Sequence, residues 1–584
     1  MTQPTNPQQA SSIPKKSSGA KWIVVIVVVA VIIIAGVVIG ITYHSSSNKT
    51  PTAPITFTIG VTQGTAHIDP AIATDFTSNA AVNNLYDDLF TPANVSGHIA
   101  IVPNLATSYT VSPNGTVYTI DIRSGVLFHD NSTLTAYDVA YSFNRMLTIG
   151  QGMSSIWNGV ITAGNITATN NTTVVMKLIH PWSSFVSTLD VMYVVNKNLV
   201  SAHYASGNYG PNGDYGTAWL AQHDAGSGAY TLGPYDPSTS ITFQKFDRYW
   251  KGWTSDQIST AIMQTMTEEA SVQSSMVSNA IDMTDYTLQP QTYNTLEKTP
   301  GIVVQNDSGF NLEMILMNCM KEPTNNTYVR QAISYAFDYA TAVSKIVPGS
   351  VQAEGPVVNS LPGHNPNVLT YNFNVSKAKA LLNESGYSPA KLSSFTLQVV
   401  YVNSLQWESL MAGLLQTDLS EIGLNVQIVP EPWDTMVSQT ANYTTMPNFF
   451  VLSSTASWAA ADYYLTRYEM KATGYTAAMF YKNQTLSNMI QEAISSTNVT
   501  QANQLYYKIQ QDIAYAAPVI WIDNAVHQIA YWNYTHGYQF YGLLGFDIHF
   551  YNFHIDKTKT TSAAVTDLAL LISESAIVMA TIKN

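Results

Sequence analysis

The residues of this 584-residue chain that could do chemistry are few, and their spacings complete no catalytic set. His129-Asp130 is a pairing used for acid–base work or metal ligation, yet it falls in the turn His129-Asp130-Asn131. Gly226-Ser227-Gly228 places a serine between glycines without the Gly-x-Ser-x-Gly spacing of a nucleophile elbow. Neither His-Glu-x-x-His nor a Walker A loop occurs. His549 and His554 stand five apart in an aromatic stretch and read as packing rather than as metal ligands. The single cysteine, Cys319, lies in an apolar run and reads as a buried core residue, which leaves no intrachain disulfide and no cysteine metal site. The expectation is a protein that is not an enzyme, with no catalytic residue, no metal and no cofactor.

The elements around these residues are clearer. Pro113-Asn114-Gly115 is turn punctuation, and residues 117–123 alternate apolar and polar at strand period. Thr135 is an N-cap with Asp138 three residues on, and Val139, Phe143, Met146 and Leu147 follow at helical spacing. Residues 407–429 read as a helix, a stop at Gly423 and a strand, one α/β step. Residues 375–387 read as a helix with Gly386 just past its end.

Composition narrows the class. The chain is too long for one core. It is 46% hydrophobic but only 11% charged, against roughly 25% charged in ordinary soluble proteins. Uncharged polar groups fill the deficit, with 35 tyrosines among them. Such a surface changes charge little with pH and suits an acidic setting; a compositional bias of the lineage would give the same numbers. The net charge of −13 and the lack of basic clusters beyond the N-terminus argue against a nucleic-acid partner. About fifteen Asn-x-Ser/Thr sequons, Asn94, Asn165, Asn306, Asn442 and Asn533 among them, fit a glycosylated external protein.

Residues 1–21 are polar and read as a disordered cytoplasmic segment. Residues 22–41 hold no charge and match about 30 Å of hydrocarbon in helical form. Lys15, Lys16 and Lys21 precede them, so a single-pass anchor with the remainder outside the cell membrane is expected. Residues 42–54 form a linker, and the C-terminal tail, 557–584, reads as an amphipathic or frayed helix rather than a second anchor because Asp567 and Glu574 interrupt it.

Residues 105–147 carry a longer pattern. Ser112-Pro113 with Asn114-Gly115, Tyr118-Thr119, Arg123 with Gly125-Val126, Phe128-His129-Asp130, and Thr135-Ala136 with Asp138-Val139 follow in order. This order closely resembles the signature of the family-5 extracellular solute-binding proteins, the oligopeptide- and dipeptide-binding subunits of ABC importers. Asp69-Pro70, Gly226, Gly228, Asp247, Tyr249, Trp250, Gly252, Arg330 and Asp338 extend the likeness over residues 55–556. Tyr109 stands for the usual Trp and Asn131 for the usual Gly, a mild change because Asn tolerates left-handed backbone.

The resemblance implies a bilobal α/β fold of the periplasmic-binding-protein kind, of the large class with an extra subdomain. Lobe 1 would be residues 55–305 with 531–556 returning to it, and lobe 2 residues 306–528. It also implies that a peptide is held between closing lobes and passed to ABC permease and ATPase subunits. The charge for the ligand's amine would be Asp462, four residues after Trp458, with one more alanine between them than the family pattern has. Trp433 falls where the family has a cleft tryptophan, and Trp157 and Tyr86 would face it from lobe 1. Few basic residues lie near these segments, so no clamp for a ligand carboxylate is expected. An oligosaccharide stacked on aromatic rings is the alternative ligand, and a surface sensor without transport the alternative role.

Overall fold

The computed structural model describes residues 54–95, 98–403, 405–543 and 548–556. Two long antiparallel strands, Ile302–Met317 and Val519–Trp532, form its spine. They pair from Ile302↔Trp532 to Leu316↔Val519, with a break in register between Ser308 and Leu312. Each spine strand therefore serves two halves of one sheet. Beyond the break, Asn311 to Met317 pair with Phe449–Thr455, which leads to the parallel strands Thr396–Val402 and Asn425–Glu431. At the other end Tyr531 pairs with Met283, and the sheet continues through Thr56–Val61, Thr260–Thr265, Ser240–Lys245 and Tyr230–Asp236. Both domain boundaries read from the sequence fall within these spine strands.

Local chemistry explains the elements. The helix Gln406–Glu421 connects the two parallel strands, and Gly423 takes φ 82° beyond its end, the left-handed turn that only glycine adopts without strain. The helix Val375–Glu384 likewise gives way to Gly386 at φ 82°. Ala136–Ile149 begins with a capping box, in which the Asp138 carboxylate accepts from the Thr135 backbone N–H at 2.9 Å. Its apolar face buries Val139, Phe143 and Met146. Full burial of each such side chain contributes roughly 1.5–3 kcal/mol.

Residues 105–147 supply that helix and two strands, Ala106–Val111 and Val117–Ile122, of a separate antiparallel sheet that Thr173–Lys177 and Ile166–Asn170 complete. Their conspicuous polar groups are architectural. His129 Nδ1 lies 2.6 Å from the Asp224 carboxylate and Nε2 lies 3.0 Å from the Gly228 carbonyl, pinning the turn to the Gly226–Gly228 loop. Asn131 supplies that turn with φ 69°. Gly228 must be glycine, because a Cβ there would sit 2.6 Å from the Leu85 carbonyl carbon. Asp87 gathers Ser227, Tyr249 and Trp250 as hydrogen-bond donors at 2.9, 3.0 and 3.2 Å. Arg145 holds Asp69 through two bonds of 2.8 and 2.6 Å, a buried bidentate ion pair.

The segments read as membrane anchor and C-terminal tail, 22–41 and 557–584, lie outside the described residues. No described helix is long and apolar enough to cross a membrane. Cys319 is partly accessible rather than fully buried, because it follows the end of its spine strand, which stops at Met317.

Candidate functional site

The strand Phe449–Thr455 ends beside the spine break, where the Ala456 N–H bonds the Phe310 carbonyl at 2.9 Å. A loop of small residues follows and turns into the short helix Asp462–Leu465 and the 3₁₀ turn Thr466–Tyr468. Tyr464, fully buried, donates to the Phe310 and Ser454 carbonyls and so fixes this turn on the spine. The rigid mounting matters because the turn carries the charged side chains of the site.

Asp462 is wholly buried, and each of its oxygens accepts an indole N–H. Trp458 donates at 2.9 Å, and Trp182, from the loop that follows Thr173–Lys177 of the four-stranded sheet, donates at 2.7 Å. The two rings meet edge to face with centroids 5.3 Å apart. The loop bearing Trp182 is itself tied across: Ser183 N–H donates to the Ile494 carbonyl at 2.6 Å, and Tyr118 holds the Trp182 carbonyl at 2.9 Å. Burial pushes the Asp462 carboxyl above its ordinary pKa, and hydrogen bonds from the Trp458 and Trp182 indoles and the Ser184 hydroxyl pull it part of the way back. Among the described residues no basic side chain forms an ion pair with it.

In front of this cluster lies a cavity of about 520 Å³. Ile156, Asn158, His180 and Trp182 line one side, and Trp458, Tyr463, Arg467 and Glu469 the other. A space of this size, walled by both halves and edged with aromatic rings, suits a small organic ligand, for which pockets run roughly 300–1,000 Å³. Glu469 accepts from Gln491 at 2.5 Å and faces Lys471 at 3.5 Å.

The sequence-derived residues are placed unequally. Trp458 lines the cavity, and Asp462 sits directly behind Trp458 and Trp182. Trp433 begins the helix Trp433–Gln439, is 43% exposed, and stands edge to face against Tyr475 at 5.1 Å. It lies off the cavity wall, although the next residue after Tyr475, Thr476, lines it. Trp157 is a core residue instead: its N–H donates to Thr188 at 2.8 Å and its ring packs on Phe143. Its neighbours Ile156 and Asn158 line the cavity, while the indole of Trp157 turns into the core. Tyr86 is also core, 1% exposed beneath the Gly226–Gly228 loop. Two residues escaped the sequence reading. Trp182 follows a proline with no periodic pattern to mark it, whereas Arg467 stood in plain view five residues after Asp462.

Among the described residues no group of three or more His, Cys, Asp or Glu side chains is placed to hold a metal ion. His549 is half-buried, and desolvation of its ring lowers its pKa to about 3, while His554 pairs with Asp256 at 3.0 Å.

The chain resembles known proteins over most of its length. It is 26% identical over 360 residues to the dipeptide-binding protein of Escherichia coli (strain K12), covering 58% of this chain and 64% of that protein. It is 24% identical over 509 residues to heme-binding protein A of Haemophilus influenzae, covering 82% and 88%. The oligopeptide-binding protein AppA of Bacillus subtilis, solved with a nonapeptide, superimposes with a TM-score of 0.63 at 19% identity, over 86% of this chain and all of that one. This likeness places the fold among periplasmic-binding-protein-like α/β structures. The bacterial extracellular solute-binding proteins, family 5, match residues 100–475, and the chain belongs to that family.

Proposed function

We propose that the protein captures peptides outside the cell, in the cavity between its two halves, and delivers them to an ABC permease and ATPase. The halves act as the two lobes, residues 55–305 with 531–556 and residues 306–528, and they part and close about the irregular stretch of the spine. Residues 22–41 anchor the chain, with the binding portion external and some of its sequons glycosylated. The function is capture and release, with no bond made or broken.

One observation carries the peptide reading. Asp462 is a fully buried carboxyl held only by neutral donors, the Trp182 and Trp458 indoles and the Ser184 hydroxyl, and among the described residues no basic side chain pairs with it. An isolated buried charge is costly, and neutral donors leave the charge of a carboxylate uncompensated. A ligand ammonium entering as the halves close supplies the missing positive charge. Because Trp182 and Trp458 come from opposite halves, amine binding is coupled to closure. The names of the Escherichia coli and Bacillus subtilis relatives point to the same ligand class.

The test is Asp462→Asn, assayed by calorimetry with short peptides. Truncating one side of a buried charge pair costs about 2–5 kcal/mol, so peptide affinity should fall about 30-fold or more. Unchanged peptide affinity in a variant whose thermal midpoint is unchanged would overturn the reading, and a neutral sugar bound equally by both proteins would replace it.

A further inference from the structure

Glu313 and Asp523 are buried carboxyls that face each other across the spine, 7% and 0% exposed. They form one rung of a two-rung island, Leu312↔Asn524 and Glu313↔Asp523, with a break in register on either side. Among the described residues no N–H donor or cation reaches Glu313 Oε2 or either Asp523 oxygen. The groups that meet the pair are each other and the Ser350 hydroxyl.

The elements packed around them bring no compensating charge. The helix Gln406–Glu421 adds a third carboxyl, Glu408. Phe449–Thr455 sets Ser453 opposite Glu313, its hydroxyl donated to Asn311, and Val351–Gln352 sets Gln352 opposite Asp523. Lys345, in the turn Ala342–Ile346, is exposed and in no ion pair among the described residues. Arg467 contacts Met314 and Ser454, one residue on from Glu313 and Ser453, so strand alternation puts it on the other face of the sheet. Two carboxylates side by side here would be buried like charges. One proton between them turns the repulsion into an O–H···O bond.

We propose that Glu313 and Asp523 share one proton, and that this proton clamps the spine at the stretch about which the halves move, so that closure is held in acid and loosened as the proton leaves. The clamp stands on the spine geometry; its effect on closure rests on the two-lobe reading above. Burial raises both carboxyls above their ordinary range, and the charges of Asp523 and Glu408 raise Glu313 further. The paired strands therefore hold the proton more tightly than opened ones do. The stabilisation is complete below the ordinary carboxyl range and lost as pH rises through the raised values.

The test is amide hydrogen exchange on the full chain without ligand, at about pH 5 and about pH 8.5, each rate scaled to that of an unstructured peptide at the same pH. Protection of residues 311–315 and 520–524 should fall at least about tenfold at the higher pH, relative to Val117–Ile122 of the four-stranded sheet. Glu313→Gln combined with Asp523→Asn, an amide pair that does not titrate, should remove that fall. A spine equally protected at both pH values, or an equal fall in the double variant, overturns the clamp. Should the double variant fail to fold, Glu313→Gln alone gives Asp523 an N–H donor and should keep protection level; a fall as large as in the natural chain overturns the clamp there too. None of these outcomes depends on what the cavity holds. Peptide affinity by calorimetry that changes with pH equally in the natural chain and the variant overturns the coupling to closure alone.

Discussion

Glu408 offers a clean test of how burial governs the few charges this chain has. It lies in the first turn of Gln406–Glu421, is 2% exposed, and accepts only the Val402 N–H, at 2.7 Å. Burial raises its pKa from the usual 4.5 to about 7, opposed only by that bond. At about 1.36 kcal/mol per pKa step the rise is worth about 3 kcal/mol, and screening on its less enclosed side reduces this to about 2 kcal/mol. The folded state holds the proton more tightly than the unfolded state. The stabilisation is therefore complete below about pH 4.5 and lost as pH rises through about 7. Glu408→Gln keeps the acceptor and removes the titration. In urea unfolding at pH 5 and pH 8.5, the variant should match the natural chain within about 1 kcal/mol at the lower pH. It should then gain about 2 kcal/mol on it at the higher. Parallel stabilities at both values would refute the argument, since they would mean that the carboxylate is ionised in the fold at no cost. Comparing two chains at each pH also cancels His527, whose burial-lowered pKa of about 4 acts in the opposite sense.

Two further changes probe the frame and the latch. Asp69→Asn leaves Arg145 buried without its counter-charge and should cost about 3–5 kcal/mol in denaturant unfolding, with the fold otherwise retained. Trp182→Phe removes the N–H that crosses from one half to Asp462; peptide affinity should fall about tenfold by calorimetry, with little change in the thermal midpoint.

Local structure was legible in the sequence wherever a residue type answers a backbone need. The Thr135–Asp138 capping box, Asn131 with positive φ, and the glycines after two helices all occupy the places their chemistry dictates. The site was less legible, because its members meet through long-range packing. Trp182 and Asp462 are 280 residues apart in sequence, and nothing local in either segment announces the other. Helical phase explains the error at Trp157: the 3₁₀ turn Gly152–Trp157 points the indole inward and leaves Ile156 on the cavity side. Tyr86 is core rather than cleft, because the close approach of Gly226 and Gly228 buries it.

The central claim is that a peptide with a free amine fills the cavity that Trp182 and Trp458 line. Mass spectrometry of material released by denaturing the purified protein tests it most directly. The account predicts short peptides with unblocked N-termini, present in the natural chain and depleted in Asp462→Asn. Release of an oligosaccharide or a haem, or of N-terminally blocked peptides, would contradict it.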